Sequence, residues 1–177
     1  MDQPLGAFQA LIVDDNRQMR FLLRSLLAAG GMHRVAEAEH AEEALRQMRK
    51  RTFDLLLVDW CMSPVNGIDF VREIRTSPDS PNPYVAIIMV SAHSEMFRVE
   101  AARDAGVNAF LVKPVSTRML FERVQFALTD RRPFARSSDF FGPDRRFADP
   151  DAAYAGPLRR AADRAGADEF CIDDAAA

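Results

Sequence analysis

Leu55, Leu56, Leu57 and Val58 stand in an unbroken row, and Val85, Ala86, Ile87, Ile88, Met89 and Val90 form a second. A strand that is apolar at every position has no face to offer water, so both of its sides must be covered. Around these two runs, shorter apolar stretches alternate with segments of helical spacing. Strands are predicted over residues 8–13, 34–38, 53–58, 84–90 and 109–112. Helices are predicted over 17–29, 40–50, 68–75, 94–105 and 116–130. In the first helix Met19, Leu22, Leu23, Leu26 and Leu27 share a face, with Asn16 as cap and Gly30-Gly31 as stop. The prolines between 77 and 83 forbid regular structure there.

Five alternations of strand and helix read as an α/β fold, a doubly wound parallel sheet with helices on both faces. The expected strand order is 2-1-3-4-5, the flavodoxin-like arrangement. Right-handed crossovers then place every strand's C-terminal end on one edge of the sheet, where ligands bind in such folds. Asp14-Asp15, Asp59, Ser91 and Lys113 each close a predicted strand, so all of them fall at that edge.

Size and composition allow one such domain with an appendage. The chain has 177 residues, 48% of them hydrophobic and 28% charged, enough apolar content for a real core. A net charge of −3 argues against a nucleic-acid surface built from general basicity. Cys61 and Cys171 lack the spacing of a metal site or disulfide framework. No apolar stretch has membrane-spanning length, and the N-terminus shows no basic region followed by an apolar one, so a cytoplasmic protein is expected.

After residue 130 the pattern is lost. Residues 131–177 are expected to form an irregular C-terminal extension, partly disordered, with a short helix allowed at 158–165. Within it, Phe140-Phe141-Gly142-Pro143-Asp144-Arg145-Arg146 combines the aromatic and arginine types that interface hot spots favour. Those phenylalanines either dock a partner or fold back onto a groove of the domain itself.

A carboxylate at the end of a buried strand is costly unless charge meets it there. Here an acidic pair, a hydroxyl and an ammonium converge on it, a set suited to metal-assisted phosphoryl transfer with Asp59 as acceptor. Mg²⁺ takes oxygen ligands and needs only one or two carboxylates. Asp15 and Asp59 are expected to bind it directly, Asp14 directly or through water, with the backbone carbonyl of Cys61 completing the protein's share. Lys113 supplies a point charge and Ser91 a hydrogen bond to phosphoryl oxygens. Taken singly, each residue has a plainer reading: Asp14-Asp15 or Ser91 as helix caps, Lys113 as a loop lysine, Phe110 as a core aromatic, His93 as an exposed loop side chain. Joint placement outweighs the plain reading of Asp14-Asp15, Ser91 can serve as cap and hydrogen-bond donor at once, Phe110 stands equally as core aromatic or switch, and His93 reads as a loop side chain.

The arrangement resembles the receiver domain of the response regulators of bacterial two-component systems, the CheY-like family. The matching residues are Asp14-Asp15, Asp59 followed by Met62, Pro64 and Gly67, Ser91-Ala92, and Phe110 three residues before Lys113-Pro114. The likeness covers about residues 7–130, the expected receiver domain. It implies a non-enzymatic phosphoacceptor, with at most self-catalysed phosphorylation from small donors and autodephosphorylation. The donor would be a sensor histidine kinase or histidine phosphotransfer protein. Ser91 and Phe110 would be the switch residues, and Cys61 and His93 would occupy the positions that tune phosphoryl lifetime. Output would pass to a downstream protein through the fourth helix, fifth strand and fifth helix or through the tail, with no direct DNA binding and no membrane contact. One departure is Ser63, where receivers usually carry the proline found here at 64. Two rival readings are an unphosphorylated, receiver-shaped interaction module and an aspartate-nucleophile phosphohydrolase. The second lacks an acid two residues after the nucleophile, since Cys61 stands there.

Overall fold

A computed structural model describes residues 4–92, 95–137 and 140–144. A single 3₁₀ turn, Leu5–Ala7, precedes five strand–helix pairs. These are β1 (Gln9–Val13) and α1 (Arg17–Ala29), β2 (Arg34–Ala38) and α2 (Ala41–Lys50), β3 (Leu55–Asp59) and α3 (Gly67–Thr76), β4 (Ala86–Ser91) and α4 (Met96–Ala105), then β5 (Ala109–Val112) and α5 (Thr117–Thr129). The five strands form one parallel sheet in the order β2-β1-β3-β4-β5, as the alternating pattern predicts.

The apolar runs have the cause inferred for them. Every residue of β3 is buried, because β3 is central and covered on both faces. Successive side chains of a strand point to opposite faces, and the two cores divide accordingly. Leu11, Leu56, Val58, Ile87 and Met89 pack beneath residues of α2, α3 and α4. Ala10, Ile12, Leu55, Leu57, Ile88 and Val90 pack beneath α1 and α5. Burying a leucine or isoleucine side chain is worth roughly 1.5–3 kcal/mol, and a one-residue slip of β3 would exchange its two faces between these cores.

Local signals fix the helix ends near the functional edge. Asn16 caps α1 by accepting the N–H groups of Gln18 and Met19. Asn66 caps α3 through the N–H of Asp69, and Ser116 caps α5 through that of Met119. Strands β3 and β4 begin two residues later than the hydrophobic pattern suggests. At β4 the carbonyls of Pro83 and Val85 accept hydrogen bonds from the Arg75 guanidinium, at 2.7 and 2.8 Å, so the approach to the strand is tied to α3.

Past α5 the structure departs from the irregular extension expected there. Residues Phe134–Arg136 (β6) and Phe141–Pro143 (β7) pair as a short antiparallel hairpin. Phe140 and Phe141 are 8% and 5% exposed, so of the two readings of these side chains the fold-back is the one adopted. Tyr84, Phe134 and Phe141 form a cluster with ring centroids 5.1 to 5.3 Å apart. Strands of three residues are too short for periodicity to register. Their support comes from residues distant in sequence: Tyr84, Arg75 and Gly106. The helix allowed at 158–165, and the arginines at 145 and 146, lie outside the described residues.

Candidate functional site

Parallel β1, β3, β4 and β5 deliver Asp14, Asp59, Ser91 and Lys113 to one sheet edge. Asp59 is the last residue of β3 and Ser91 the last of β4, while Asp14 and Lys113 follow β1 and β5 directly. The Lys113 main-chain N–H donates to the Ser91 carbonyl at 2.7 Å, and the Trp60 N–H to the Val90 carbonyl at 2.8 Å, so the sheet's hydrogen bonding runs on into the site.

The side chains meet around one ammonium. Lys113 Nζ donates to Asp59 Oδ1 at 2.6 Å and lies 3.4 Å from Asp14 Oδ2. Asp14 and Asp59 are 1% and 5% exposed. Two buried carboxylates thus share one cation, and the electrostatics follow from that shortage. Burial, then the neighbouring Asp14 carboxylate, pushes Asp59 up to about 6 despite the pull of Lys113. Burial raises Asp14 as well, against the Lys113 ammonium and the Asn16 N–H, which donates to Asp14 Oδ1 at 2.8 Å. Lys113 feels burial in the opposite sense, yet Asp59 and Asp14 together hold its pKa above the usual value.

The remaining predicted residues take different places. Asp15 is exposed at the rim, and its carbonyl and that of Asp14 accept hydrogen bonds from Arg20 Nη1 at 3.1 and 2.7 Å. Ser91 is buried. Cys61 is half-buried, in the loop from β3 to α3. Phe110, in β5, is half-buried and stands edge-on to Trp60 at 6.4 Å between centroids. His93 lies outside the described residues. Three neighbours were not among the candidates. Arg20 clamps the acidic turn, Trp60 lies in the loop that follows Asp59, and Arg98 lies over Trp60 with its guanidinium carbon 5.3 Å from the ring centroid. Nothing in the spacing of Arg20 or Arg98 separates them from the other arginines on helix surfaces.

Gly67 has a stricter role than that of a turn residue. A Cβ there would collide with the carbonyl oxygen of Asp59, because α3 starts directly against the Asp59 backbone. The Gly67 N–H donates to the Trp60 carbonyl at 2.9 Å and closes the loop that carries the cis Ser63–Pro64 peptide.

Among the described residues no group of three or more His, Cys, Asp or Glu side chains forms a ready metal cage. What converges is a set of hard oxygen donors, Asp14 and Asp59 with Asp15 at the rim, carrying more negative charge than Lys113 balances. That donor set fits Mg²⁺, which needs few carboxylates and keeps several waters, better than it fits zinc or a thiophilic metal.

Comparison with known proteins places this geometry. Residues 10–125 match the family model described as the response regulator receiver domain. The chain is 35% identical over 115 residues to Chemotaxis protein CheY of Pseudomonas aeruginosa, covering 65% of this chain and 91% of that one. It is 34% identical over 119 residues to Chemotaxis protein CheY1 of Helicobacter pylori, covering 67% and 94%. Among solved structures, chemotaxis response regulator CheY4 of Vibrio cholerae superposes with a TM-score of 0.62 at 26% identity, over 68% of this chain and 98% of its own. A CheY-like receiver domain protein from Methanospirillum hungatei gives 0.60 at 26% identity, over 68% and 93%.

Proposed function

Because the chain belongs to the response regulator receiver family of two-component signalling, we propose that Asp59 accepts a phosphoryl group from a sensor histidine kinase or histidine phosphotransfer protein. The observation that carries this reading is the shared ammonium, 2.6 Å from Asp59 and 3.4 Å from Asp14 at the strand-end edge.

In the proposed reaction an Asp59 carboxylate oxygen bonds to phosphorus as the bond from phosphorus to the donor's histidine nitrogen breaks. The electron pair leaves with the imidazole, and Asp59 becomes an acyl phosphate. Lys113 then follows the charge outward, from the carboxylate to a phosphoryl oxygen. The Ser91 hydroxyl donates to another phosphoryl oxygen, and Phe110 turns further inward beside Trp60. Asp14, Asp15 and Asp59, with the backbone carbonyl of Cys61, would hold Mg²⁺, which would neutralise the crowded carboxylates and the incoming group. Cys61 and His93 set how long the acyl phosphate lasts.

The output is a population shift between two packings of the face made by α4, β5 and α5. Those helices expose Met96 and Phe97, and Met119 and Phe126, which suits contact with a downstream protein. The tail offers the exposed Arg136 of β6, whereas Phe140 and Phe141 are already buried. Among the described residues no helix is long and apolar enough to cross a membrane. We place the protein in the cytoplasm, where its kinase's phosphoryl group is delivered.

Incubation with Mg²⁺ and acetyl phosphate tests the reading. The intact mass should rise by one phosphoryl group, and the adduct should vanish in Asp59→Asn and with a chelator. No adduct on the wild-type chain, under conditions that label another receiver, leaves only the unphosphorylated interaction module. Sustained turnover of phosphoesters would favour the hydrolase.

A further inference from the structure

Helix α4 buries little of its own: Arg98, Ala102 and Ala105. Alanines give a helix weak purchase on a core, and the contacts at its two ends are correspondingly important. At the N-terminal end the Arg98 side chain is almost wholly buried, with its guanidinium over the rings of Trp60 and Phe97, at 5.3 and 5.5 Å. Its nearest acid is Glu95, whose Oε2 lies 3.4 Å from Nε, and Nε makes no hydrogen bond to the described residues. Trp60 directly follows Asp59 and touches Phe110 edge-on. A cation on α4 is therefore stacked against the residue beside the acceptor.

At the other end α4 closes on Gly106, in the left-handed conformation at φ 95°. The hairpin of β6 and β7 rests there backbone to backbone. A Cβ on Gly106 would come within 2.6 Å of the Phe141 carbonyl oxygen, and one on Gly142 within 2.7 Å of the Gly106 Cα. Side chains stand farther off, with Arg75 Cγ 3.2 Å from the first of these Cβ positions and Phe140 Cζ 3.0 Å from the second. Arg75 ties the same point together, donating from Nε to the Gly106 carbonyl at 2.9 Å while its guanidinium lies over the Phe134 ring at 5.2 Å.

We propose that α4 is a lever whose Arg98 end senses the charge at Asp59 and whose Gly106 end moves the C-terminal hairpin, so that phosphorylation loosens β6–β7. The proposal rests on Asp59 being the acceptor. Phosphorylation adds negative charge at the edge beside Trp60, and a buried cation whose Nε lacks a hydrogen bond to the described residues is drawn toward it. The helix follows its arginine. Its far end presses directly on the hairpin backbone, and a two-stranded hairpin is among the least stable elements of a fold.

Amide exchange of the full-length chain with Mg²⁺ and saturating beryllofluoride tests this, with fluorine NMR reporting that the ligand is bound. The amides to follow are those of Ser137 and Asp144, which donate to the carbonyls of Phe140 at 2.8 Å and Pro133 at 2.7 Å. Both should exchange about tenfold faster in the saturated protein. In Arg98→Met, which fills the same space without charge, beryllofluoride should still bind and the acceleration should disappear. Unchanged or slower exchange in the saturated wild type overturns the lever, as does acceleration that persists in Arg98→Met. Failure of beryllofluoride to bind at all overturns the acceptor reading with it.

Discussion

Asp59 is held in a state its surroundings only partly tolerate. Its pKa of about 6, against an ordinary 3.8, means that between those values the folded protein binds a proton that the unfolded chain releases. The stability this gives is fully present below the unfolded value and is lost as pH rises through the folded one. Without metal, then, the charged Asp59 costs the fold about 3 kcal/mol at neutral pH. Chemical unfolding in chelator should show stability falling as pH rises from about 4 to about 7. Added Mg²⁺ should flatten that fall. Asp59→Asn should shrink it, leaving the part due to Asp14, and raise stability at pH 7 by about 1–3 kcal/mol, even as it abolishes phosphorylation. Lys113→Met should act oppositely. It leaves two buried carboxylates without their cation and should destabilise the metal-free protein by about 3 kcal/mol in the same titration.

The position of Asp59 depends on where α3 begins. Gly67→Ala forces a Cβ into the Asp59 carbonyl. Either α3 or the end of β3 must yield, so the substitution should lower stability by about 2 kcal/mol and slow labelling by acetyl phosphate. Thermal melts and the rate of adduct formation measure the two effects. The strands and helices around this point were readable in the sequence because their signals are local. Leu55 to Val58 is apolar because β3 is covered twice, and Asn16 stands where a cap is needed. The convergence of Asp14, Asp59 and Lys113 was readable for a different reason: once the strands are parallel, their C-terminal ends have one edge to share. Arg75 and Arg98 were not readable. Arginine is usually exposed, and only long-range acceptors or rings (Gly106, Asn108 and Trp60) make these two buried. The hairpin was missed for the same reason, since its strands are short and its supports lie far away in sequence.

As a whole molecule, the folded unit runs past the edge of the family match at residue 125. Asp130 pairs with Arg132 at 2.7 Å and accepts from Asn108 at 3.0 Å, and the hairpin then covers the Arg75 guanidinium. A chain ending at residue 130 loses the burial of Phe140 and Phe141, worth roughly 1.5–3 kcal/mol each before the regained chain entropy is subtracted. Urea unfolding should place it about 3 kcal/mol below a chain ending at residue 144. If the two are equal, residues 131–144 are an appendage and not part of the domain. Site-specific trapping identifies which carboxylate carries the phosphoryl group. Protein phosphorylated in Mg²⁺ by acetyl phosphate is reduced with borohydride, which converts a phosphorylated aspartate to homoserine, and its peptides are sequenced by mass spectrometry. Homoserine at position 59 and at no other aspartate is the expected result. Homoserine at Asp14 or Asp15, or at no aspartate of a demonstrably phosphorylated chain, would contradict the account.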